Sequence, residues 1–519
     1  MTLPNITLAD FLPLLPALIM VVGASILLLS EVFLSSSASR GYQAVLTVAT
    51  AVASGLTALG LMFEPPHAVF LGYGVLDPFS SFLTLVVCVG LALAALASVS
   101  FLRKRGAERG EFYALMLFAS AGMSLLAMSA EFITLFVNLE VLSVATYALT
   151  AYLRRGTRPS EAGFKYFILG AFSSAVLLYG TALLYGATGT TKLADMAGPL
   201  SQALATAPAL VYTGAILVAA GFAFKVAAVP FHMWTPDVYE GAPTPVTALM
   251  SAGVKAAAFA AMVRVFLTVG KGMDPHMPLA LFSTLALLTM VVGNLLAIPQ
   301  RNVKRMLAYS SIAHAGYLLL GVAALFVTAP GEHFRILGAS ALTGGTPLDV
   351  ARSDALRGIL YYLLAYTFSA VGAFALVSAL ERREDEDKGT AWDLERFSGL
   401  AQRRPGWAFA MTAFMLSLGG IPPTIGFMSK LLIFQSAIDV GLVGLTIVAV
   451  LSSAAGVYYY LRVVVYMFMR PVPEGAQTLE RSWGTEVALV ISTVAVVLLG
   501  IIPGRVSEWL AHAGTLFGQ

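Results

Sequence analysis

Residues Phe224–His232 read FKVAAVPFH, and this short run decides how the rest of the chain is to be read. Apolar residues surround Lys225, and Pro230 follows it by five positions. Proline has no amide hydrogen to donate and clashes with the carbonyl four residues back, so a helix carrying Lys225 breaks near Pro230. In lipid, neither a charge nor an opened backbone is tolerated unless protein or water surrounds it. The run predicts a membrane helix interrupted at a place that does something.

The flanking sequence bears this out in bulk. Of 519 residues, 58% are apolar and 11% charged, and the mean hydropathy is +0.83. A soluble domain carries roughly 25% charged residues, so a soluble multidomain enzyme is excluded. The balance of 31 Lys and Arg against 28 Asp and Glu leaves +3, too little to suggest a nucleic-acid partner. Cys88 is the single cysteine and lies in an apolar run, which excludes a disulfide framework and a thiolate metal site. It reads as a buried, unreactive thiol.

A helix needs about 20 mostly apolar residues to cross the hydrocarbon core. Fourteen such spans are predicted, near 11–30, 43–63, 77–100, 112–129, 131–153, 162–187, 207–235, 244–268, 277–297, 303–326, 358–380, 406–436, 440–468 and 485–503. Only Asp10 precedes the first of them, with no basic leader, so it reads as a retained helix. Lys and Arg in the loops set orientation. One set of alternate loops holds nineteen, including Arg40, Arg103, Lys104, Arg105, Arg154, Arg155, Arg158, Arg301, Lys304, Arg305, Arg382, Arg383, Lys388 and Arg396. The other set holds six: Lys192, Lys271, Arg335, Arg352, Arg357 and Arg505. Both termini are expected outside, with the 101–111, 154–161 and 381–405 loops in the cytoplasm.

Lys165, Lys225, Lys255, Arg264, Lys430, Arg462 and Glu140 fall inside predicted spans. Each charge at a helix centre costs roughly 2.5–3.5 kcal/mol to insert, so the four or five deepest oppose insertion by about 10 kcal/mol. Arg264 and Arg462 lie near span ends, where snorkelling accounts for them. Lys165 can pair with Glu161 one turn earlier. The deep residues have polar company at helical spacing: Glu140, Ser143, Tyr147 and Thr150; Thr244, Thr247, Ser251 and Lys255; Ser310, His314 and Tyr317. Such stripes either glue helices together or line a hydrated path, and an ionisable group in each favours the path.

A second break, Gly419-Gly420-Ile421-Pro422-Pro423, precedes Lys430 by seven residues. Interrupted helices in corresponding halves point to an ion pathway, although a packing kink also explains a proline. The halves 112–268 and 277–468 each hold five spans and start on opposite sides, an inverted-repeat arrangement. The three helices of 1–111 precede them, and 485–519 adds the last helix and a short tail. The chemistry these parts permit is proton transfer. Burial disfavours the charged form of a lysine and a nearby carboxylate restores it, so a Glu140–Lys225 pair would act as a switch feeding Lys255, His314 and Lys430. His232, just past the break, reads equally as a bonded helix end or a relay. His67, His276, His333 and His512 read as surface residues. No dinucleotide fingerprint, cysteine cluster or paired haem-ligand histidines appear, so any electron source lies in other subunits. A structural scaffold whose lysines only tie helices remains the rival from another class.

The segment Phe224–Gly241, FKVAAVPFHMWTPDVYEG, with Ala242-Pro243-Thr244-Pro245-Val246-Thr247 after it, closely resembles the antiporter-like membrane subunits of NADH-quinone oxidoreductase (complex I). The likeness continues through Lys304–His314, KRMLAYSSIAH, and Gly420–Phe434, GIPPTIGFMSKLLIF. It implies an all-α polytopic fold of about fourteen helices with two inverted five-helix repeats and broken helices 7 and 12. It implies a proton-translocating module of a translocase in a bacterial cytoplasmic (inner) membrane, among other membrane-arm subunits. NADH, FMN, iron-sulfur clusters and quinone would be used in those other subunits, with no cofactor bound here. The family's roles carry onto Glu140, Lys165, Lys225, Lys255 and Lys430. About sixteen residues follow the last span, where the largest paralogue has a long lateral helix, and Lys430 stands where the middle one has Glu. Both favour the subunit N branch; an Mrp-type cation/proton antiporter subunit is the runner-up. The 327–357 segment, with Gly344 and Gly345, is longer than the family pattern, and a surface contact and a disordered insertion both fit it.

Overall fold

The computed structural model describes residues 8–33, 40–154, 156–328, 347–381, 390–473 and 479–514. Arg155, His333, Arg335, Gly344, Gly345, Arg382, Arg383, Lys388 and residues 515–519 lie outside the described residues.

The chain opens with α1 (Leu15–Phe33), α2 (Gly41–Leu61) and α3 (Pro78–Arg105). A hairpin of β1 (His67–Val69) against β2 (Gly74–Leu76) joins the last two. Then come α4 (Gly110–Met128), α5 (Phe132–Thr150), α6 (Thr157–Thr188), a short α7 (Ala197–Thr206) and α8 (Pro208–Lys225). Beyond the Pro230 turn the chain re-forms as α9 (Trp234–Gly241). α10 (Thr244–Leu249) passes through a π-helical turn, Met250–Val254, into α11 (Lys255–Val269). α12 (His276–Ala297), α13 (Val303–Ala324), α14 (Pro347–Leu380), α15 (Leu400–Arg403), α16 (Pro405–Gly419), α17 (Ile425–Asp439), α18 (Val443–Met469), α19 (Trp483–Ile501) and α20 (Pro503–Ala513) complete it.

Among the described residues, thirteen helices are long and apolar enough to cross a membrane. The expected twelfth span is instead α16 and α17, of 15 residues each, on either side of the Gly420–Thr424 break. Neither half is long enough alone, so the fourteen expected spans become thirteen full helices and one split pair. The seventh is cut short too: α8 stops at Lys225, which therefore sits at a helix end and not deep within a helix. α14 begins at Pro347, eleven residues before its expected start, so the end of the 327–357 segment is helix.

Burial sorts the helices into layers. α11, α13 and α14 are buried almost all round, and α3 packs against α2, α4, α14 and α19. A helix apolar on every side belongs in a core or in lipid. α1, α6, α12, α18 and α19 leave large apolar side chains outward, such as Phe172 and Leu451; only lipid or neighbouring subunits can cover such a belt.

Three helix starts are capped by side chains. Asp77 accepts from the Ser80 amide at 2.8 Å, Glu131 from the Thr134 amide at 2.7 Å, and Asn302 from the Arg305 amide at 3.0 Å. Each satisfies an amide that the first helical turn leaves unbonded. Asp77 does more. Arg264 of α11 donates to its two carboxylate oxygens at 2.8 and 3.0 Å and to the Ala127 carbonyl at 3.2 Å. This corrects the snorkelling expectation, because Arg264 is buried and turns inward to a carboxylate 187 residues away. Arg462 lies two turns inside α18 and donates to the Ile298 and Gln300 carbonyls just past α12.

Candidate functional site

Three buried lysines lie along the interior, and each meets neutral oxygens. The Lys225 ammonium, at the last residue of α8, donates to Ser143 Oγ at 2.7 Å and Tyr147 Oη at 3.4 Å. Lys255 begins α11 directly after the π turn and donates to the Ser311 carbonyl and hydroxyl, both at 2.6 Å. Lys430, in α17, reaches back across the break to the Leu418 and Gly419 carbonyls at 3.0 Å each and to Ser453 Oγ at 2.8 Å. It thereby caps the C-terminal end of α16, where unbonded carbonyls carry partial negative charge. Among the described residues, no carboxylate lies within ion-pair distance of these three ammonium groups.

The expected Glu140–Lys225 ion pair is therefore not formed. Glu140 is half-buried on α5, with one carboxylate oxygen buried and lacking a hydrogen-bond partner among the described residues. Ser143, one turn further along, takes the lysine instead. The polar stripe of α5 is thus real in Ser143 and Tyr147, while Thr150 turns to the Thr146 carbonyl.

Aromatic rings and hydroxyls join the lysines. Lys225 lies 5.9 Å from the Tyr166 ring, which stacks on Trp234 at 4.7 Å, and Trp234 meets Tyr239 edge-on at 6.1 Å. The Tyr239 and Tyr366 hydroxyls both approach Ser311, the partner of Lys255. His314 shares hydrogen bonds with Tyr362 through Nδ1 and with Tyr460 through Nε2, the latter at 3.0 Å, and Tyr460 also meets Ser310. A cavity of about 10 Å³, the lower bound for one water, opens among His314, Tyr366, Ser369, Ser417, Leu418 and Ser429. It links the Lys255 neighbourhood to the carbonyl that receives Lys430. Lys255, His314 and Lys430 thus share one polar interior, and Lys225 is joined to it across the Tyr166 and Trp234 rings.

The breaks are backbone features with side-chain consequences. Ala227 adopts φ +60°, left-handed for a residue with a Cβ. Its amide and that of Ala228 close the end of α8 on Phe224 and Ala223. Strain of this kind, of order 1–3 kcal/mol, persists where the surrounding structure demands it. Pro422 and Pro423 form the break between α16 and α17. His232 lies half-buried past the first break, its Nδ1 buried without a partner in the chain. His67 bonds the Pro65 carbonyl at the surface, and His512 stacks on Phe63.

Lys165 is placed apart from the three lysines. It bridges Glu161 at 2.7 Å and Asp237 of α9 at 2.9 Å. Arg305 binds Asp237 at 2.8 Å and Glu240 at 2.9 Å, and Arg158 binds Glu240 at 3.0 Å. This network pins the returning segment after the break to α6 and α13. Burial works against the charge on Asp237, but hydrogen bonds from Lys165 and Arg305 outweigh it and hold its carboxyl below the usual range. A carboxyl held low lends stability above its unfolded pKa of about 3.9, and that share drains away as pH falls through the lower folded value. Solvent reaches this site, so the contribution is at most about 1 kcal/mol. Thermal stability measured from pH 7 down to pH 3 should therefore fall more steeply for the parent than for Asp237→Asn; parallel curves would contradict this.

Sequence reasoning missed a cluster at the same end. Arg105 and Lys304, counted there as loop residues, are buried; Arg105 pairs with Glu381 at 3.0 Å, and Lys304 donates to the Ala242 carbonyl at 2.6 Å. Their only signal is a position at the very edge of a span.

The profile of the family described as NADH:quinone oxidoreductase/Mrp antiporter, TM, matches residues 129–334 and 348–456. NADH-quinone oxidoreductase subunit N of Myxococcus xanthus is 83% identical over 519 residues, covering 100% of both chains. A chain of respiratory complex I from Thermus thermophilus with bound Aureothin matches at TM-score 0.77 and 33% identity, over 96% of this chain and 99% of that one. A chain of the Mrp complex from Dietzia matches at TM-score 0.78 over 98% and 97%, but at 22% identity it speaks for the fold alone. With the broken helices, the buried lysines and these relatives together, the chain belongs to the NADH-quinone oxidoreductase subunit N family of antiporter-like membrane proteins.

Proposed function

We propose that this chain is a proton-translocating subunit of the membrane arm of a bacterial NADH-quinone oxidoreductase. Electrons pass from NADH to quinone in other subunits, where FMN and iron-sulfur clusters serve, and this chain binds none of them. The carrying observation is that Lys225, Lys255 and Lys430 are buried on neutral oxygens and joined by tyrosines, serines and His314. A charge held without a counter-ion is expensive to keep in an apolar interior, whereas a proton passed between such groups need not stay. Glu140, one turn from Ser143 on α5, tunes Lys225 through space, and His232 relays at the first break. Lys165 holds α9 in register from the surface.

The breaks at Pro230 and at Pro422 and Pro423 fall in the fourth span of the halves 112–268 and 277–468, which supports two inverted five-helix repeats. The loop charge bias supports a multi-pass chain in the cytoplasmic membrane with both termini outside. The exposed apolar belt then meets lipid and the neighbouring membrane-arm subunits.

In membrane vesicles holding the assembled complex, Glu140→Gln should slow NADH-driven proton pumping at least threefold. Parent-like pumping, with the subunit present in normal amount, would favour the scaffold reading in which these charges only tie helices.

A further inference from the structure

A second polar site lies at the arginine-rich end of the molecule, apart from the three central lysines. Lys304 is fully buried, and among the described residues no carboxylate lies within ion-pair distance of its ammonium. It donates to the Ala242 carbonyl at 2.6 Å and lies 4.7 Å from the Trp392 ring centre. Ala242 directly follows α9, so the lysine rests on the first carbonyl past that helix end. Beside it, Glu381 is neutralised by Arg105 at 3.0 Å and accepts from Thr244.

A cavity of about 30 Å³ opens here, bounded by Arg158, Ala242, Pro243, Glu381 and Trp392. That volume suits two or three waters. The Trp392 Nε1 is buried on its wall and has no hydrogen-bond partner among the described residues, as expected of a donor that serves water. Arg158, at the other side of the cavity, is partly open to solvent. Inward, Lys304 and Ser311 sit seven residues apart on α13, two turns or about 10 Å along one face, and Ser311 is the partner of Lys255.

We propose that Lys304 is the proton-uptake group for Lys255, loaded by water in the Arg158–Trp392 cavity and positioned by the Glu381–Arg105 pair. A hydronium in the cavity gives its proton to the neutral Lys304 amine and leaves water. The ammonium then passes one proton, by way of water beside the apolar Leu307–Ala308 stretch of α13, to the neutral Lys255 amine at Ser311, and Lys304 is neutral again. This rests on the reading that Lys255 conducts protons.

The test uses vesicles holding the assembled complex. Lys304→Arg keeps the charge and its donors but cannot release a proton at any working pH. It should lower proton pumping at least fivefold with normal subunit content, and parent-like pumping would overturn the proposal. Should that variant not assemble, Trp392→Phe removes the N–H facing the cavity. It should slow pumping at least twofold above pH 8, where protons are scarce, and far less at pH 6; equal rates with the parent at both pH values would overturn the proposal. Lys255→Met in parallel separates the two ideas. If Lys255→Met pumps normally, the conduction reading fails; if it fails to pump while Lys304→Arg pumps normally, only the uptake site is wrong.

Discussion

Replacing Lys255 by Met should reduce NADH-driven proton pumping at least tenfold, and NADH oxidation should fall with it wherever the two are tightly coupled. Lys255 is almost fully buried, and its ammonium holds both the carbonyl and the hydroxyl of Ser311 at 2.6 Å. It also faces the Tyr366 ring at 4.6 Å. Methionine matches the length and volume of the lysine stem but offers no donor and carries no proton. Two oxygens of Ser311 lose a partner, at about 1–3 kcal/mol for a buried group, while a buried charge that opposed insertion is also removed. The terms oppose each other, so assembly should survive and the loss should be functional. Lys255→Arg discriminates further: it restores charge and donors but holds its proton, and should pump as poorly as Met. Recovery in the Arg variant would mean that charge alone is needed at this position.

Asp77→Asn should be the most damaging change for assembly. It strands the Arg264 guanidinium, which now donates to both carboxylate oxygens in a buried site. Removing one partner of a buried pair costs about 3–5 kcal/mol because the other charge stays buried. Asparagine still caps α3, so the helix start is not the cause of the loss. Adding Arg264→Met should recover much of the assembled complex, since deleting both charges removes the penalty along with the attraction. Subunit content of purified membranes and the thermal aggregation point of the complex read both effects. A double variant as poor as the single one would show that the pair is not the reason.

Most of the architecture was readable because lipid imposes one rule on every span, and the breaks were readable because proline cannot complete a helix. Lys225, Lys255 and Lys430 stood out for the same reason: a charge in an apolar run has no bland place to go. The partners were hidden. Asp77 stands at the very start of a predicted span, and nothing in its local sequence points to Arg264 on α11. Asp237 lies 72 residues from Lys165, so only the Glu161 half of that pairing was visible. Arg105, Lys304 and Glu381 sit at span edges, where charge is normally solvated. Their burial comes from the packing of α14 against both α3 and α13, which no single-helix pattern encodes. The Glu140–Lys225 expectation failed on reach, because Ser143 on the same helix lies closer to the lysine.

The π-helical turn at Met250–Val254 sets a rule for chain length. Each residue added to or taken from an α-helix rotates everything after it by about 100°, and a π turn is one residue wider than an α turn. Thr244, Thr247, Ser251 and Lys255, spaced three, four and four, suggest a single face, with Thr244 pointing to Glu381 and Lys255 to Ser311. The π turn between them adds one residue to that screw. An insertion or deletion anywhere in this segment would swing the Lys255 amine away from its serine while leaving every residue type intact, so here spelling matters less than counting.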